Sequence, residues 1–371
     1  MRDGKMKRVK LLIVDIGALK GGIEVFVHNF YNYLNISIDI DFLVFCEKCA
    51  WEDEYLLNGS NVYHIPPRRE NPFTFNLRIN NFFKSHNEFD YVWVQSSSAS
   101  NISCHKAVKK YTNSKLLTHA HVSKAETRKG IHDFYTRMMH SYNQKKLCKL
   151  TDYQLGCSKD ALTYLFGDAG NGYVINNGID VTRYVNASKD KEKNREQIGI
   201  EVDSFVLGHV GRFVAIKNHP FIIDVFEQVA NKIDNAILVL VGEGEERKVI
   251  QNIVNMKMLD DKVVFFGERD EIEKYFSVMD AFIFPSFYEG FGIAVIEAQL
   301  AGVKCYINST LPDNLDVTTN IHRLSLDVTP EKWAEMIVNG QNQNQNIIID
   351  DRVASFDILT SINKFLKIIG I

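Results

Sequence analysis

Two glutamates, Glu289 and Glu297, stand with seven residues between them in the segment FYEGFGIAVIEAQLAG, and Gly290 and Gly292 follow the first directly. The apolar run AFIFPS before them reads as a strand that ends at Pro285-Ser286, and a helix is expected from about Phe291 to Ala301. Glu289 then falls in a loop, and Glu297 about two turns inside the helix on a related face. A helix start preceded by glycines exposes unpaired N–H groups at the positive end of the helix dipole, which suits a diphosphate or sugar hydroxyls. A carboxylate accepts hydrogen bonds from paired hydroxyls. Read alone, the same two residues could also be a helix-start charge and a solvated face. His119 and His121 close a second candidate stretch, SKLLTHAH, where an imidazole can face a ligand or sit satisfied in a core.

These residues need elements to carry them. Residues 8–16 (RVKLLIVDI) read as a buried strand, GALKGG as a glycine loop, and IEVFVHNFYNYL as an amphipathic helix that opens with Glu24. Glu24 there suits the helix dipole. The strands IDIDFLVF, YVWVQSS and SKLLTHAH alternate with helical stretches, which implies a mostly parallel sheet covered on both faces. A polar stretch around residues 181–200 is expected to link this unit to a second one. The second series runs SFVLGHVGR, a helix from about Asn218 to Lys232, AILVLVGEG, a helix to about Met258, VVFFG, a short helix at Glu271–Met279, and AFIFPS. Two doubly wound domains are therefore expected, 1–185 with about 355–371, and 186–354, with ligands beyond the carboxyl ends of the strands. The Asn/Gln-rich stretch near residue 340 is expected to be a surface turn or frayed helix end.

Bulk properties agree and exclude alternatives. The chain has 371 residues, 45% hydrophobic and 24% charged, which favours two soluble-type cores over disorder or repeats. No apolar run reaches the roughly 20 residues that span a bilayer. Asp15 interrupts the apolar start, so a strand and loop are expected there in place of a signal peptide, and a cytoplasmic location follows. Six cysteines make no disulfide framework, and Cys46-x-x-Cys49 lacks the partners of a zinc site. Asp39-Ile40-Asp41 spells a metal-binding triplet but opens an alternating strand, so it reads as an edge or turn feature. Gly242-x-Gly244 follows a strand without the third glycine of a dinucleotide fingerprint. Residues 1–180 hold 23 basic and 18 acidic side chains, and the remainder 20 and 28. The basic excess lies around Lys106, Lys110, Lys124, Arg128, Lys145 and Lys149, as solvated helix faces or as a surface drawn to anionic lipid. Nucleic acid is not an expected partner, since no binding motif for it occurs.

The segments EGFG and EAQLAG, with the two glutamates so spaced, resemble glycosyltransferase family 4, retaining enzymes of GT-B architecture. GHVGRFVAIKNHPF, AILVLVGEGEER, VVFFGERDEI, VINNGID and LKGGIEVFV extend that resemblance over most of the chain, closest to its capsular and exopolysaccharide subgroup. After Glu289 the wording GFGIAVIEAQLAG is nearer the wider family than that subgroup.

The resemblance implies a retaining transfer of a hexose-type sugar from a nucleotide sugar, by default UDP-linked, to a glycan or polyprenyl-diphosphate-linked acceptor in surface polysaccharide biosynthesis. It implies no essential metal or other cofactor. Arg212 and Lys217 correspond to the pair that binds the donor diphosphate, Glu289 to the carboxylate on the sugar hydroxyls, and Glu297 to that on the ribose. Gly21 and Gly22 correspond to the loop that approaches sugar and diphosphate, Gly290, Phe291 and Gly292 to backbone donors, and Gly267 to Arg269 to the base contact. His121, in preference to His119, corresponds to the active-site histidine. The N-terminal domain would bind the acceptor, touching the membrane peripherally on its cytoplasmic face, and the last helix, about Phe356–Ile368, would cross back to it. A sugar-nucleotide epimerase of the same architecture and a non-catalytic nucleotide-sugar-binding subunit are the rival expectations.

Overall fold

A computed structural model of the chain describes residues 8–122, 131–289, 292–341 and 351–371. The chain divides into two units, one of residues 1–178 with 358–371 and the other of residues 179–357. The divisions at Gly178–Ile179 and Asp357–Ile358 replace the expected ones near 185 and 355. The reason is local: residues 181–187 form a helix that packs into the second unit's core through Val181 and Tyr184.

The first unit holds seven strands: β1 (Val9–Val14), β2 (Ile38–Val44), β3 (Val62–His64), β4 (Tyr91–Ser96), β5 (Lys115–Ala120), β6 (Tyr153–Gly156) and β7 (Tyr173–Val174). Their order is β3-β2-β1-β4-β5-β6-β7, all parallel. The helices are α1 (Gly22–Leu34), α2 (Glu52–Leu57), α3 (Pro72–Ser85), α4 (Ser103–Tyr111), α5 (Ile131–Leu150) and α6 (Lys159–Phe166). Among the described residues β3, β6 and β7 are additions to the expectation; they are two to four residues long, too short for a periodic signal.

The second unit opens with α7 (Val181–Ala187) and α8 (Lys191–Ile198), where a polar linker was expected. Charge hid these helices. Arg195 is buried and donates to the carbonyls of Val278 and Ser204 and to Asp280, so hydrogen bonds replace an apolar face. Its six parallel strands are β8 (Phe205–Val210), β9 (Ala236–Val241), β10 (Val263–Gly267), β11 (Ala281–Phe284), β12 (Lys304–Asn308) and β13 (Ile321–Leu324), in the order β10-β9-β8-β11-β12-β13. Between them run α9 (His219–Ala230), α10 (Arg247–Met256), α11 (Ile272–Ser277), α12 (Ile293–Leu300) and α13 (Pro330–Gly340). The last helix, α14 (Ile358–Ile369), belongs to the first unit. Its Phe365 ring lies 4.6 Å from Trp93 and 5.9 Å from Phe30, and Tyr91 donates to the Ile369 carbonyl at 2.7 Å.

In each sheet the chain starts at a central strand, winds outward, then returns to the other side. The reversal lies between β1 and β4 in one unit and between β8 and β11 in the other. At such a point two loops leave the carboxyl ends of adjacent strands in opposite directions and open a crevice. Asp39 and Asp41 sit at the amino end of β2, which is paired on both sides and so is not an edge strand. Asp39 pairs with Arg8 at 3.1 Å, and Asp41 accepts from the Asn61 amide at 2.7 Å. Most of the Asn/Gln-rich stretch and the basic residues Lys124, Arg128 and Lys129 lie outside the described residues.

Candidate functional site

The second unit gathers its chemistry at the β8–β11 reversal. Behind β8 comes an exposed Arg212, then a 3-10 turn at Ala215–Lys217, then α9. Behind β11 comes the loop that carries Glu289. The two loops are tied by Phe287 donating to the Ile216 carbonyl at 2.9 Å, and Asn308 holds the Ser286 carbonyl at 2.9 Å. This brings the Lys217 ammonium within 2.6 Å of Glu289 Oε1. Both side chains are largely shielded, 15% and 11% exposed. The ammonium also lies 4.7 Å from the centroid of the Phe284 ring, an electrostatically favourable seat for a cation. A cation and a carboxylate fixed together can grip a ligand that carries both negative oxygens and hydroxyl donors.

Glycines allow the Arg212 loop to lie where it does. Gly242 has φ 138°, and a Cβ there would come 2.1 Å from the Gly211 carbonyl oxygen; Gly244 has φ 159°, with the Phe213 oxygen 2.4 Å away. Gly211 and Phe213 in turn donate to the carbonyls of Val241 and Glu243 at 3.0 and 2.9 Å. The Gly242-x-Gly244 pair is thus a backbone-on-backbone brace for the loop behind β8. Beneath that loop lie His209 and His219, both fully buried. Burial holds both imidazoles neutral, His209 well below its ordinary range and His219 at about 4.

Glu297 is on α12 but does not join the Lys217–Glu289 pair. It is 9% exposed, and its Oε1 accepts from the Tyr184 hydroxyl at 2.5 Å. Burial raises its carboxyl to about 7, against the lowering effects of that hydrogen bond and of Arg183. Tyr184 carried no signal in the sequence, because it lies in the stretch read as a polar linker. Gly292 caps α12 with φ 65°; Gly290 and Phe291 lie outside the described residues. Gly267 has φ 70° at the end of β10, with its carbonyl accepting from Gly242, and Arg269 is exposed beyond it.

In the first unit the glycine loop follows β1 at the β1–β4 reversal, and the two histidines lie at the carboxyl end of the neighbouring β5. Glu24 of α1 folds back under the loop, and its Oε1 accepts from the Gly17 amide at 2.8 Å. A Cβ at Gly21 would lie 2.7 Å from Glu24 Oε2, whereas one at Gly22 would meet nothing within 4 Å. Glu24 is therefore a brace for the loop. His119 is fully buried, stacked on His121 with centroids 4.4 Å apart, and its ring nitrogens have no hydrogen-bond partner among the described residues. His121 sits one residue past β5, partly exposed, with Nε2 2.7 Å from Gln95 Oε1. Burial lowers His121 to about 3 and His119 well below its ordinary value. Asp15 follows β1 with φ 72°; crowding by protein, then the Glu24 carboxylate, raises it to about 6 although its surface stays open.

HepE of Anabaena, solved in complex with UDP and glucose, superposes with a TM-score of 0.74 over 98% of this chain and 99% of HepE, at 18% identity. The fold is GT-B. Residues 190–317 of this GT-B chain, which hold Arg212, Lys217, Glu289 and Glu297, match the family model described as glycosyl transferases group 1. EpsF of Bacillus subtilis (strain 168), a glycosyltransferase by name, is 27% identical over 347 residues, which cover 90% of this chain and 88% of EpsF. The UDP-Gal:alpha-D-GlcNAc-diphosphoundecaprenol alpha-1,3-galactosyltransferase of Escherichia coli is 28% identical over 144 residues, 38% of this chain and 37% of that enzyme. Family match and sequence relatives agree on a glycosyltransferase.

Proposed function

We propose that this chain is a retaining glycosyltransferase that moves a hexose from a UDP-sugar to a glycan or lipid-diphosphate-linked acceptor in surface polysaccharide biosynthesis. The observation that carries the reading is the Lys217–Glu289 pair, 2.6 Å apart at the reversal point of the second sheet, one loop from Arg212. Departure of a nucleoside diphosphate builds negative charge. Arg212 and Lys217 would stabilise it, supplying from side chains what a metal supplies elsewhere. Glu289 would accept from the hydroxyls of the transferred sugar, and Glu297 from the ribose. The amides at Gly290 to Gly292 would meet donor oxygens, and the segment Gly267 to Arg269 would meet the base. In the first unit Gly21 and Gly22 would admit the donor, and His121, kept neutral, would face the sugar as a hydrogen-bonding partner. The acceptor oxygen would attack from the face the diphosphate leaves, and the leaving phosphate would take its proton. Among the relatives, the galactosyltransferase is named for a UDP donor and a diphosphoundecaprenol acceptor, which supports both substrate classes.

A membrane contact would fit such an acceptor. On α5 the side chains of Phe134, Tyr135, Met138 and Tyr142 are exposed beside Lys145, Lys146 and Lys149, an arrangement suited to anionic headgroups with shallow apolar insertion. Flotation with anionic vesicles at low salt should recover the protein, and neutral vesicles should leave it behind.

The deciding experiment is a thermal-shift series with UDP-, GDP- and ADP-hexoses, followed by product analysis with and without acceptor. A UDP-sugar should raise the midpoint by mass action, and sugar should leave UDP only toward an acceptor or, slowly, water. Conversion of donor alone into an epimeric nucleotide sugar would identify an epimerase, and binding without any turnover a non-catalytic subunit.

A further inference from the structure

Most buried phenols and carboxyls in folded proteins find hydrogen-bond partners. Tyr184 and Glu297 partner each other. Tyr184 is 5% exposed within the apolar core of the second unit, and its hydroxyl reaches Glu297 Oε1 at 2.5 Å from a position 113 residues earlier in the chain. The other titratable and charged groups facing the Glu297 carboxyl are Arg183 of α7 and Glu273 of α11, which pair with each other at 2.8 Å. Each charge of that pair is thus partly answered before it reaches Glu297. Among the described residues Tyr184 remains as the group that touches the carboxyl directly.

We propose that Tyr184 is a positioning residue for nucleotide recognition: its hydroxyl fixes one oxygen of Glu297 and favours the ionised form, which leaves the second oxygen to accept from a ribose hydroxyl. The inference rests on the reading of Glu297 as the ribose partner in the proposed transferase. An ionised carboxylate accepts at both oxygens and makes hydrogen bonds about twice as strong as a neutral one. A protonated carboxyl must itself place a proton, and it loses an acceptor site. Burial holds Glu297 near 7, so the balance between these two states falls in the working range of pH, and one hydrogen bond can decide it.

The test compares UDP with 2′-deoxy-UDP by calorimetric titration of the full chain from pH 6 to pH 9. Both ligands carry the same diphosphate, so its ionisation cancels in the ratio of their affinities. In the wild type the preference for UDP should climb through about pH 7 as Glu297 ionises. In Tyr184→Phe, which keeps the ring, the midpoint of that climb should move up by about one pH unit, with roughly a fivefold smaller preference at pH 7 that returns at pH 9. In Glu297→Gln the ratio should be low and flat. An unchanged midpoint in Tyr184→Phe overturns the role of Tyr184, and so does a ratio that still climbs in Glu297→Gln. A wild-type ratio near one at every pH overturns it as well, while the transferase reading stands. Absence of any UDP binding by the wild type removes the UDP-sugar donor on which the inference rests.

Discussion

Lys217 and Glu289 are each other's counter-charge in a largely dry setting, so removing one leaves the other exposed to a low-dielectric surround. Breaking such a pair typically costs a few kcal/mol, while removing both partners costs far less. This separates structure from chemistry. Lys217→Ala alone should lower the thermal midpoint of the second unit and reduce kcat by about a hundredfold, the scale expected when a cation on the leaving group is lost. Adding Glu289→Gln should restore most of the midpoint and none of the turnover. The check is scanning calorimetry beside steady-state kinetics with saturating donor. Turnover that returns together with the midpoint would mean the pair serves the fold alone.

At the scale of elements, the loop behind β8 is held by backbone contacts that a single methyl group would break. Gly242→Ala would set a Cβ 2.1 Å from the Gly211 oxygen in a left-handed backbone, so the Arg212 loop must shift. The donor KM should rise tenfold or more, with a destabilisation of about 1–3 kcal/mol. Gly22→Ala is the opposite case. Nothing lies within 4 Å of that Cβ, and the residue begins α1, so stability should be unchanged or rise by up to about 1 kcal/mol. A large loss of kcat/KM in Gly22→Ala would then report a substrate approaching the loop, and unaltered kinetics would remove Gly22 from the donor site. The alternation of strands and helices and the glycine-marked loops were legible in the sequence, because periodicity and turn chemistry are local. The brace between residues 211–213 and 241–244 was not, since it joins loops thirty residues apart. Nor was Tyr184, whose partner lies in another helix, or α8, whose helical face is buried through the hydrogen bonds of Arg195.

The whole molecule carries an imbalance in how its two units bind protons. His105 and His119 in the first unit, and His209 and His219 in the second, are buried with pKa values pushed below the ordinary 6.5, to about 4 for His105 and His219. Each binds its proton only on unfolding, so each contributes stability above pH 6.5 that falls away below it by about 1.4 kcal/mol per pH unit. Glu297 works in the other sense. Its carboxyl, raised to about 7, binds a proton that the unfolded chain releases, so the second unit gains stability as pH falls from about 7 toward 4.5. Between pH 6.5 and 5.5 the second unit therefore loses roughly one histidine's worth, while the first loses roughly two, with His121 adding in the same direction. Asp15, raised to about 6, offsets only a little of that, because its surface is open and the offset begins late. Acidification from pH 7.5 to 5.5 should split the thermal transition by a few degrees, with the first unit melting at the lower temperature. Calorimetry with proteolytic fragments identified at the intermediate temperature would assign the order. Glu297→Gln should raise the second unit's transition most at pH 7.5, and with the offset gone that transition should fall further between pH 7.5 and 5.5 than the wild type's does. Coincident transitions at pH 5.5 in the wild type, or a second unit that melts first, would contradict the proton balance assigned to these seven side chains.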